Sequence, residues 1–538
     1  MTFARFAALA LVACAACGGA KNAAVAKAPD APETKDAEAP KTDDGNAQAS
    51  GKPESFVVVP HPARALGKLR SLLRGAPAAL PVLDHAMGWA KNVDLDQPIY
   101  TVFVEGSSAT SVGLTPEIAK ATKESANTEC DVVDGASGTR FVCPRGPDGA
   151  SAKPLAGATP PEFPSDAHME VDIKTLLRFG GGGAAALTRV TIGTELKSFT
   201  ADVSLDGPGE VKAAVGLNPK GKWSAALLAA PVAAPPSTFA RLPADAEIAF
   251  FANAPAAGDQ GPFKDFVLDA ITKSGDSCTP AETADARAHF EKVLFTGGSV
   301  AAALGFDRAA AETAADALLK APADKNKQNA MKKASAAWFV AGVEEPAAKW
   351  LENVPWLAKS HCGKKQAPKV TVTPKPSPRL GLPAGSVEII ERRTKEGASP
   401  LSFTFIVPDK SSGTERTWIA AGDDENVVAA RVRIAAKGDP DATLAKRSGI
   451  ASLRDPATAA GFVTAAGVAW FLGDTNDPVA IQRAASMVAR SRSLPTGART
   501  PILFHAETAK ADAKITARLS LDGAAIGDAA ALYGDLTQ

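Results

Sequence analysis

Short alternations of apolar and polar residues recur along this chain and predict β-strands. Residues 199–205 and 515–521 alternate in this way, and each segment ends in an Asp-Gly pair, which is a turn signal. With these pairs included, the two segments are identical at six of nine positions. Further strands are predicted at 99–104, 168–173, 387–391, 401–407 and 417–420. Strands with one buried face alternate like this, so the pattern predicts antiparallel sheets.

Apolar residues at helical spacing predict helices between these strands. The segments are 64–73, 81–92, 281–294, 308–319 and 426–436. Asp307 precedes one of them, and the pair at 423–424 precedes another, as N-cap residues do. Strands and helices alternate too irregularly for a doubly wound parallel sheet. The sequence therefore predicts an α+β fold, with helices packed on one face of antiparallel sheet.

A second repeat is the phrase AWFV at 337–340 and AWFL at 469–472. A proline, Pro346 or Pro478, follows eight residues after each tryptophan, so each copy predicts a buried strand, a loop and a helix that begins at proline. Core packing is predicted for the Trp-Phe pairs, with an aromatic ligand pocket as the alternative.

The two copies of the alternating repeat, one closing each half of the chain, predict two pseudo-repeated lobes, at 54–236 and 237–538, that arose by duplication. Chance similarity in an alanine-rich chain is the alternative. The segment 366–383 holds five prolines and predicts a linker or surface crossing, which makes it a possible break inside the second lobe.

The N-terminus combines Arg5 with an apolar run at 6–13, as secretory signal peptides do. This run is much shorter than the roughly 20 residues of a transmembrane helix. Residues 11–14 (LVAC) resemble the lipobox of bacterial lipoproteins. The resemblance implies cleavage before Cys14 and acylation of that cysteine, within a signal segment at 1–16. Cys17, which two glycines follow, is the alternative lipidation site.

Residues 17–53 consist mainly of alanine, proline and charged residues, which predicts a disordered tether. Such a coil would hold the folded body on the order of 30 Å from a bilayer. The lipoprotein resemblance implies a membrane partner through the lipid anchor. Ala15 or Gly18 follows the cysteine in place of the aspartate that signals inner-membrane retention, which favours the outer membrane, facing the periplasm or the cell surface.

Composition and charge narrow the possible functions of the body. Apolar residues make up 45% and charged residues 22%, as in globular proteins with a hydrophobic core. The chain has 59 basic and 59 acidic residues, and no block of like charge stands out. We therefore expect no nucleic-acid partner.

Four cysteines lie in the body, and an even number in an exported protein predicts disulfides. Cys130 and Cys143 flank a predicted hairpin, so a cross-strand bridge is expected there. Cys278 and Cys362 would then pair by elimination. A metal site of Cys278, His361 and Cys362 is the alternative, although adjacent histidine and cysteine are not a usual zinc spacing.

Catalytic motifs are incomplete in this sequence. Residues 216–222 imitate a phosphate-binding loop, but Trp223 occupies the position of the Mg²⁺-binding Ser or Thr. The six histidines are scattered, and the acidic clusters at 94–96, 423–425 and 474–477 are explained by turns and helix caps. We nominate no catalytic, metal or cofactor-binding residue.

The resulting hypothesis is a membrane-anchored envelope lipoprotein that acts as a non-catalytic binding or scaffold module, with an envelope protein or a lipid as its partner. Two alternatives remain. A carrier of lipid or another hydrophobic ligand predicts an apolar cavity under a curved sheet. A hydrolase predicts a histidine and a carboxylate beside a serine or aspartate in one cleft.

The body also resembles large envelope lipoproteins of alanine-rich bacteria, through phrases such as LPAD at 242–245 before an apolar strand. This second resemblance implies no activity and no site residue.

Overall fold

The described part of the chain is a mixed α+β structure with antiparallel sheet. The computed structural model describes residues 55–75, 93–104, 107–124, 130–135, 138–145, 156, 160–172, 195–262, 265, 279–294, 298–353, 369–374, 376–392, 401–410, 415–472 and 478–536. The chain divides into two compact units. The described residues of the smaller unit lie within 55–66 and 93–202, and those of the larger unit lie within 67–75 and 203–536.

The first part of the chain forms the smaller unit, and two of its elements continue into the larger one. In chain order its elements are β1 (Phe56–Val59), α1 (Pro62–Leu72), β2 (Ile99–Val104), β3 (Ser107–Gly113), α2 (Pro116–Glu124), β4 (Asp131–Gly135), β5 (Gly138–Arg145), β6 (Ala167–Asp172) and β7 (Leu196–Ser204). Antiparallel pairing gives the strand order β6-β1-β2-β3-β5-β4. Phe56, Tyr100 and Val142 fill its core. Burial raises the pKa of Tyr100 to about 12.

The larger unit contains the remaining elements. They are β8 (Gly209–Leu217), α3 (Lys222–Leu228), β9 (Ile248–Ala252), α4 (Pro280–Leu294), β10 (Val300–Phe306), α5 (Arg308–Lys320), α6 (Lys325–Ala334), β11 (Ala337–Val343), α7 (Ala347–Leu351), β12 (Lys369–Thr373), β13 (Val387–Arg392), β14 (Leu401–Asp409), β15 (Arg416–Gly422), α8 (Glu425–Lys437), β16 (Ala459–Thr464), α9 (Ala465–Leu472), α10 (Pro478–Ser493), β17 (Pro501–Ala509), β18 (Lys514–Leu521) and α11 (Gly523–Leu536).

One continuous antiparallel sheet organises the larger unit. Its strand order is β8-β18-β17-β16-β9-β10-β11-β15-β14-β13-β12. Because β8 pairs with β18 along its whole length, residues 203–236 belong with the C-terminal strands. The division of the chain therefore falls near residue 202, where the sequence predicts it at 236.

The segment 366–383 is integrated into this sheet where it is described. Lys369–Thr373 forms β12 and pairs with β13, and Leu380 is buried in the main core. The sequence predicts a linker or a surface crossing here, and the described residues include the edge strand of the sheet. Proline has no backbone N–H to donate to a neighbouring strand, so the prolines mark the ends of β12. The short alternation of polar and apolar residues between them is the pattern that indicates the strand.

Both faces of the central strands are buried. All seven residues of β15 are buried. Trp418 packs in a core with Val428 of α8, whereas its neighbour Ile419 packs with Trp350 of α7. Successive side chains of a strand point to opposite faces, so α7 and α8 cover opposite sides of the sheet. The prediction of helices on one face was therefore wrong for this region.

The two tryptophans of the main core lie against glycines on neighbouring strands. Trp338 is opposite Gly305, and a Cβ added to Gly305 would lie 2.5 Å from the Trp338 ring. Trp418 is opposite Gly342, where an added Cβ would lie 2.6 Å from the ring. An aromatic ring over a cross-strand glycine fills the space that the missing side chain leaves.

The two AWF phrases adopt different secondary structures. Residues 337–340 lie in β11, as predicted, and both Trp338 and Phe339 are buried. Residues 469–472 lie in α9, so the prediction of a second buried strand was wrong. The Oγ1 atom of Thr464 accepts the backbone N–H of Gly467, which caps α9 directly after β16. The hydroxyl of Thr464 donates to the buried carboxylate of Glu247.

The alternating repeat forms strands in both places. Its copies lie in β7 and β18, as the pattern predicts. After β7, Gly207 adopts φ +68° in a turn, a conformation that suits glycine. After β18, Asp522 caps α11 by accepting the N–H of Ala524, so the second Asp-Gly pair begins a helix. The turn prediction was wrong there because the same aspartate side chain serves turns and N-caps.

Candidate functional site

One concave surface among the described residues lies between α5, α6 and the start of α8. It has a volume of about 720 Å³ and is open to solvent. We call this surface the alanine groove. Its lining residues are Asp307, Ala309, Ala310, Thr313, Ala314, Ala317, Ala330, Lys333, Ala334, Ala336, Asp424 and Val427.

Helical spacing creates the apolar floor of the alanine groove. Ala310, Ala314 and Ala317 follow one face of α5, because residues three and four apart lie side by side on a helix. A different face of α5, with Ala311 and Leu318, packs in a core shared with α6 and α10. Ala314 is partly buried against that core as well, so the exposed part of the small-residue surface on α5 consists mainly of Ala309, Ala310 and Thr313.

The two aspartates of the groove are engaged as helix caps. Asp307 accepts the N–H of Ala310 at 3.1 Å. Asp424 accepts the N–H groups of Asn426 and Val427 at 3.0 and 3.2 Å. These two caps confirm the capping interpretation of both acidic positions, and they leave the carboxylates as structural groups at the groove edge.

Lys333 supplies the positive charge of the groove. Its Nζ lies 4.0 Å from Asp424 Oδ2, and its side chain is 79% exposed. Such an exposed pair contributes little to stability, so Lys333 can turn towards a bound partner at small cost. Thr313 donates its hydroxyl to the Ala309 carbonyl. The lining combines a small-residue floor with a charged edge, which suits binding better than acid–base chemistry.

The smaller unit contains the closest approach to a hydrolase cluster among the described residues. His168 Nδ1 donates to Asp202 Oδ1 at 2.8 Å, and the Ser165 hydroxyl donates to the same oxygen at 3.1 Å. In a catalytic triad the serine hydroxyl contacts the opposite ring nitrogen. Here Nε2 of His168 is buried without a hydrogen-bond partner, and the ring stacks on Phe163 at 3.7 Å.

Geometry therefore assigns His168 a structural role. The imidazole joins β6 to Asp202 of β7 through one hydrogen bond and covers aromatic core residues with its ring. Two other described histidines contact polar side chains: His289 contacts Asn353 at 2.8 Å and Asp285 at 3.6 Å, and His505 contacts Glu507 at 3.1 Å. His61 is exposed, whereas His85 and His361 lie outside the described residues.

Cys130 and Cys143 are joined by a disulfide in the structure, with their Cα atoms 4.2 Å apart. The neighbouring pair Asp131 and Val142 is in register between β4 and β5, which places the cysteines opposite each other at the end of the hairpin. The other cysteines that the sequence singled out lie outside the described residues: Cys14, Cys17, Cys278 and Cys362. The alternative metal site at Cys278, His361 and Cys362 lies there too.

The acidic cluster at 94–96 forms a turn. Asp94 Oδ1 accepts the N–H of Asp96, and its Oδ2 accepts the Gln97 amide. The segment 474–477 lies outside the described residues. Within the described part of the chain, no group of three or more histidine, cysteine, aspartate or glutamate side chains is arranged to hold a metal ion.

In comparisons with known proteins, no protein-family model, no curated protein and no solved structure matches this chain. In the portion of the chain that the structure covers, no helix has the length and apolar character needed to span a bilayer.

Proposed function

We propose that this protein is a lipid-anchored, non-catalytic binding module of the bacterial cell envelope. The LVAC motif at 11–14 and the polar segment at 17–53 support the anchor and the tether. The alanine groove is the observation that carries the binding role. It is open to solvent, its floor is built from small side chains, and its aspartates serve as helix caps.

The occupant we propose for the groove is a helical segment of another envelope protein. Ala310, Ala314 and Ala330 let a partner backbone approach closely, because their side chains end at Cβ. Helix-in-groove recognition uses an apolar stripe on the partner with residues at i, i+3, i+4 and i+7. Lys333, which is exposed at the edge, favours a partner with an acidic residue beside that stripe.

The anchor is tested by metabolic labelling of the full chain with an alkyne-tagged fatty acid. We expect the label on the parent and its loss in Cys14→Ser. If Cys17→Ser loses the label and Cys14→Ser keeps it, the alternative cysteine carries the lipid. Full labelling of the double variant would contradict anchoring through either residue.

The groove is tested by filling it. Ala310→Trp combined with Ala330→Trp places two indoles on exposed floor positions, while the core faces of α5 and α6 are unchanged. A photo-crosslinker at position 317 identifies the partner, and the purified partner should bind the filled variant at least about tenfold more weakly. Ala225→Trp, at an exposed position of α3, is the matched control.

Two outcomes would overturn the groove assignment. Equal affinity of the parent and the filled variant for the partner would show that the partner binds elsewhere. A lipid adduct at position 317 in place of a protein adduct would favour the carrier function.

We further propose that the two lobes descend from one ancestral unit. In both regions a strand, a helix that begins at proline, a hairpin and a final helix occur in this order, β1-α1-β2-β3-α2 and β16-α10-β17-β18-α11, although in the second region α9 lies between β16 and α10. The antiparallel pairings agree as well, since β1 pairs with β2 and β2 with β3, while β16 pairs with β17 and β17 with β18.

We also propose that Cys278 and Cys362 form a second disulfide. Thiol titration of the denatured, unreduced Cys14→Ser/Cys17→Ser chain should then find no free thiol. Two reactive thiols, accompanied by intact Cys130–Cys143 in a peptide map, would contradict this pairing.

A further inference from the structure

In the folded protein, two helices that are rich in basic residues lie close together, and this basic surface is not evident from the sequence alone. Helices α6 and α10 are far apart in the chain and contain no acidic residue. Their basic residues are Lys325, Lys327, Lys332, Lys333, Arg483, Arg490 and Arg492.

Hydrogen bonds bring the first turns of these helices together. The Pro322 carbonyl, in the loop between α5 and α6, accepts the side-chain amides of Gln328 at 2.8 Å and Gln482 at 3.2 Å. The end of α5 and the beginnings of α6 and α10 therefore meet at one corner of the larger unit.

Exposed apolar and basic side chains share this corner. Leu319 is 41% exposed and Val479 is 55% exposed, among the largest values for apolar side chains in the described part of the chain. Lys320 at the end of α5, Lys325 at the start of α6 and Arg483 near the start of α10 are exposed as well. We call these five residues, Leu319, Lys320, Lys325, Val479 and Arg483, the corner patch.

We propose that the corner patch docks the body of the protein on an anionic phospholipid bilayer. This inference rests on the proposed function, because the lipid anchor is what would keep the body near a membrane. Each lysine or arginine at an anionic leaflet contributes to binding, and exposed aliphatic side chains enter the boundary between headgroups and acyl chains. Basic and aliphatic groups side by side meet both requirements.

The acidic groups around the patch are already engaged where they are described. Asp324 accepts the N–H of Asn326 as the N-cap of α6. Asp316 forms a two-fold contact with Arg492, at 2.8 and 3.0 Å. In contrast, Lys325, Lys327 and Arg483 form no ion pair within the described residues. Asp474 and Asp477 precede α10 in the sequence and reduce the net positive charge of that segment.

A bilayer fits this surface better than a nucleic acid does. The corner patch has no aromatic side chain on which a base could stack, whereas single-stranded nucleic acids rely on such stacking. Leu319 and Val479 have no role in a contact with phosphates alone. A tether with a reach on the order of 30 Å also keeps the local concentration of membrane surface high.

The test uses the full chain with Cys14→Ser and Cys17→Ser, so that its result does not depend on acylation. Vesicles of phosphatidylcholine alone are compared with vesicles that contain 30% phosphatidylglycerol, in a flotation assay at about 0.1 M salt. We expect tighter binding to the anionic vesicles, and loss of that preference at high salt.

Charge reversal locates the contact. Lys320→Glu, Lys325→Glu and Arg483→Glu together should weaken binding to the anionic vesicles by roughly 100-fold. The matched control, Lys212→Glu, Lys220→Glu and Lys510→Glu, changes the net charge equally at exposed positions outside the corner patch and should bind like the parent. Circular dichroism verifies that both variants are folded.

Three results would overturn the inference: equal binding to neutral and anionic vesicles, equal weakening in the patch and control variants, or tighter binding to duplex DNA than to anionic vesicles. None of them alters the fatty-acid labelling result. A failure of docking is therefore distinguishable from a failure of the anchor.

Discussion

Residues 337–340 and 469–472 are nearly the same phrase, yet one is a central β-strand and the other ends a helix. In β11 the phrase has hydrogen-bonding neighbours on both sides, β10 and β15. In α9 it follows a capped helix start, with Thr464 holding the N–H of Gly467. The two four-residue segments have almost the same composition, so composition does not determine whether the segment forms a strand or a helix.

The residues before each phrase make the difference. Upstream of β11, α6 ends at Ala334, and the Ser335 hydroxyl bonds back to the Met331 carbonyl, so the chain leaves the helix just before Ala337. Upstream of α9, β16 ends at Thr464, and its hydroxyl begins a new helix at once. The same apolar sequence thus forms a strand or a helix according to how the element before it ends, as expected when tertiary context overrides intrinsic propensity.

The largest effect should come from the strand copy of the phrase. Trp338 is 1% exposed, and Gly305 and Gly422 opposite it offer no side chain to fill a vacancy. Trp338→Ala should therefore lower the free energy of unfolding of the larger unit by about 4 kcal/mol. Urea unfolding followed by far-UV circular dichroism measures it. Val232→Ala, at a 45% exposed position, is the control, and a loss below about 1 kcal/mol at Trp338 would refute the core assignment.

A somewhat smaller effect is expected at the buried acid that supports the helix copy. Glu247 accepts the Thr464 hydroxyl, and its Oε1 lies 3.7 Å from Nη1 of the buried Arg308. Glu247→Ala leaves that guanidinium with Glu312 as its remaining carboxylate and should lower the free energy of unfolding by about 3 kcal/mol.

Glu247→Gln is the matched control, because it keeps an acceptor for Thr464. It should retain hydrogen-exchange protection in α9, which the alanine variant loses. Identical stability of the two variants would mean that the carboxylate and its hydrogen bond to Thr464 do not hold α9 in place.

Removing the Thr464 hydroxyl sharpens the comparison. Thr464→Val keeps the shape of the side chain but removes both the oxygen that accepts the Gly467 N–H and the donor to Glu247. We expect a loss of about 1 kcal/mol, confined to faster amide exchange in α9, with β11 unchanged. Thr464→Ser should behave like the parent. Equal acceleration of exchange in β11 would contradict a local effect.

The smallest effect is a pH dependence in the helices around α9. Burial raises the pKa of Asp528 in α11, although the hydrogen bond from Thr496 opposes this shift. The folded state therefore holds the proton more tightly than the unfolded state, so this carboxyl lowers stability as the pH rises through its folded pKa. Asp528→Asn, which still accepts from Thr496, should gain in melting temperature relative to the parent between pH 4 and pH 7. An unchanged difference between the two proteins would contradict this sign.

Much of the fold was predictable from the sequence, because the signals were local. The α+β class, the strands β2, β13, β14 and β15 and the helices α5 and α8 follow from periodicity and N-caps, and their observed bounds are close to those predicted. Errors arose where one local signal has two structural uses. The Asp-Gly pair at 522–523 and the phrase at 469–472 both depend on what packs around them.

The candidate site was much less predictable. Asp307 and Asp424 were recognised as helix caps, but the groove between them requires three helices to meet. The corner patch was missed for the same reason: Lys325 and Arg483 are far apart in sequence, and a charge count along the chain cannot bring them together. Periodicity reports the inward face of a helix, whereas sites form where the outward faces of several helices converge.

The tryptophan–glycine pairs of the main core restrict how this sequence can evolve. A substitution that adds even one methyl group at Gly305 requires a smaller side chain at position 338. Gly342 and Trp418 restrict each other in the same way. Each pair must therefore change together or not at all. Divergent descendants of this fold should retain these four positions, or exchange both members of a pair, after the surface helices have lost all recognisable similarity.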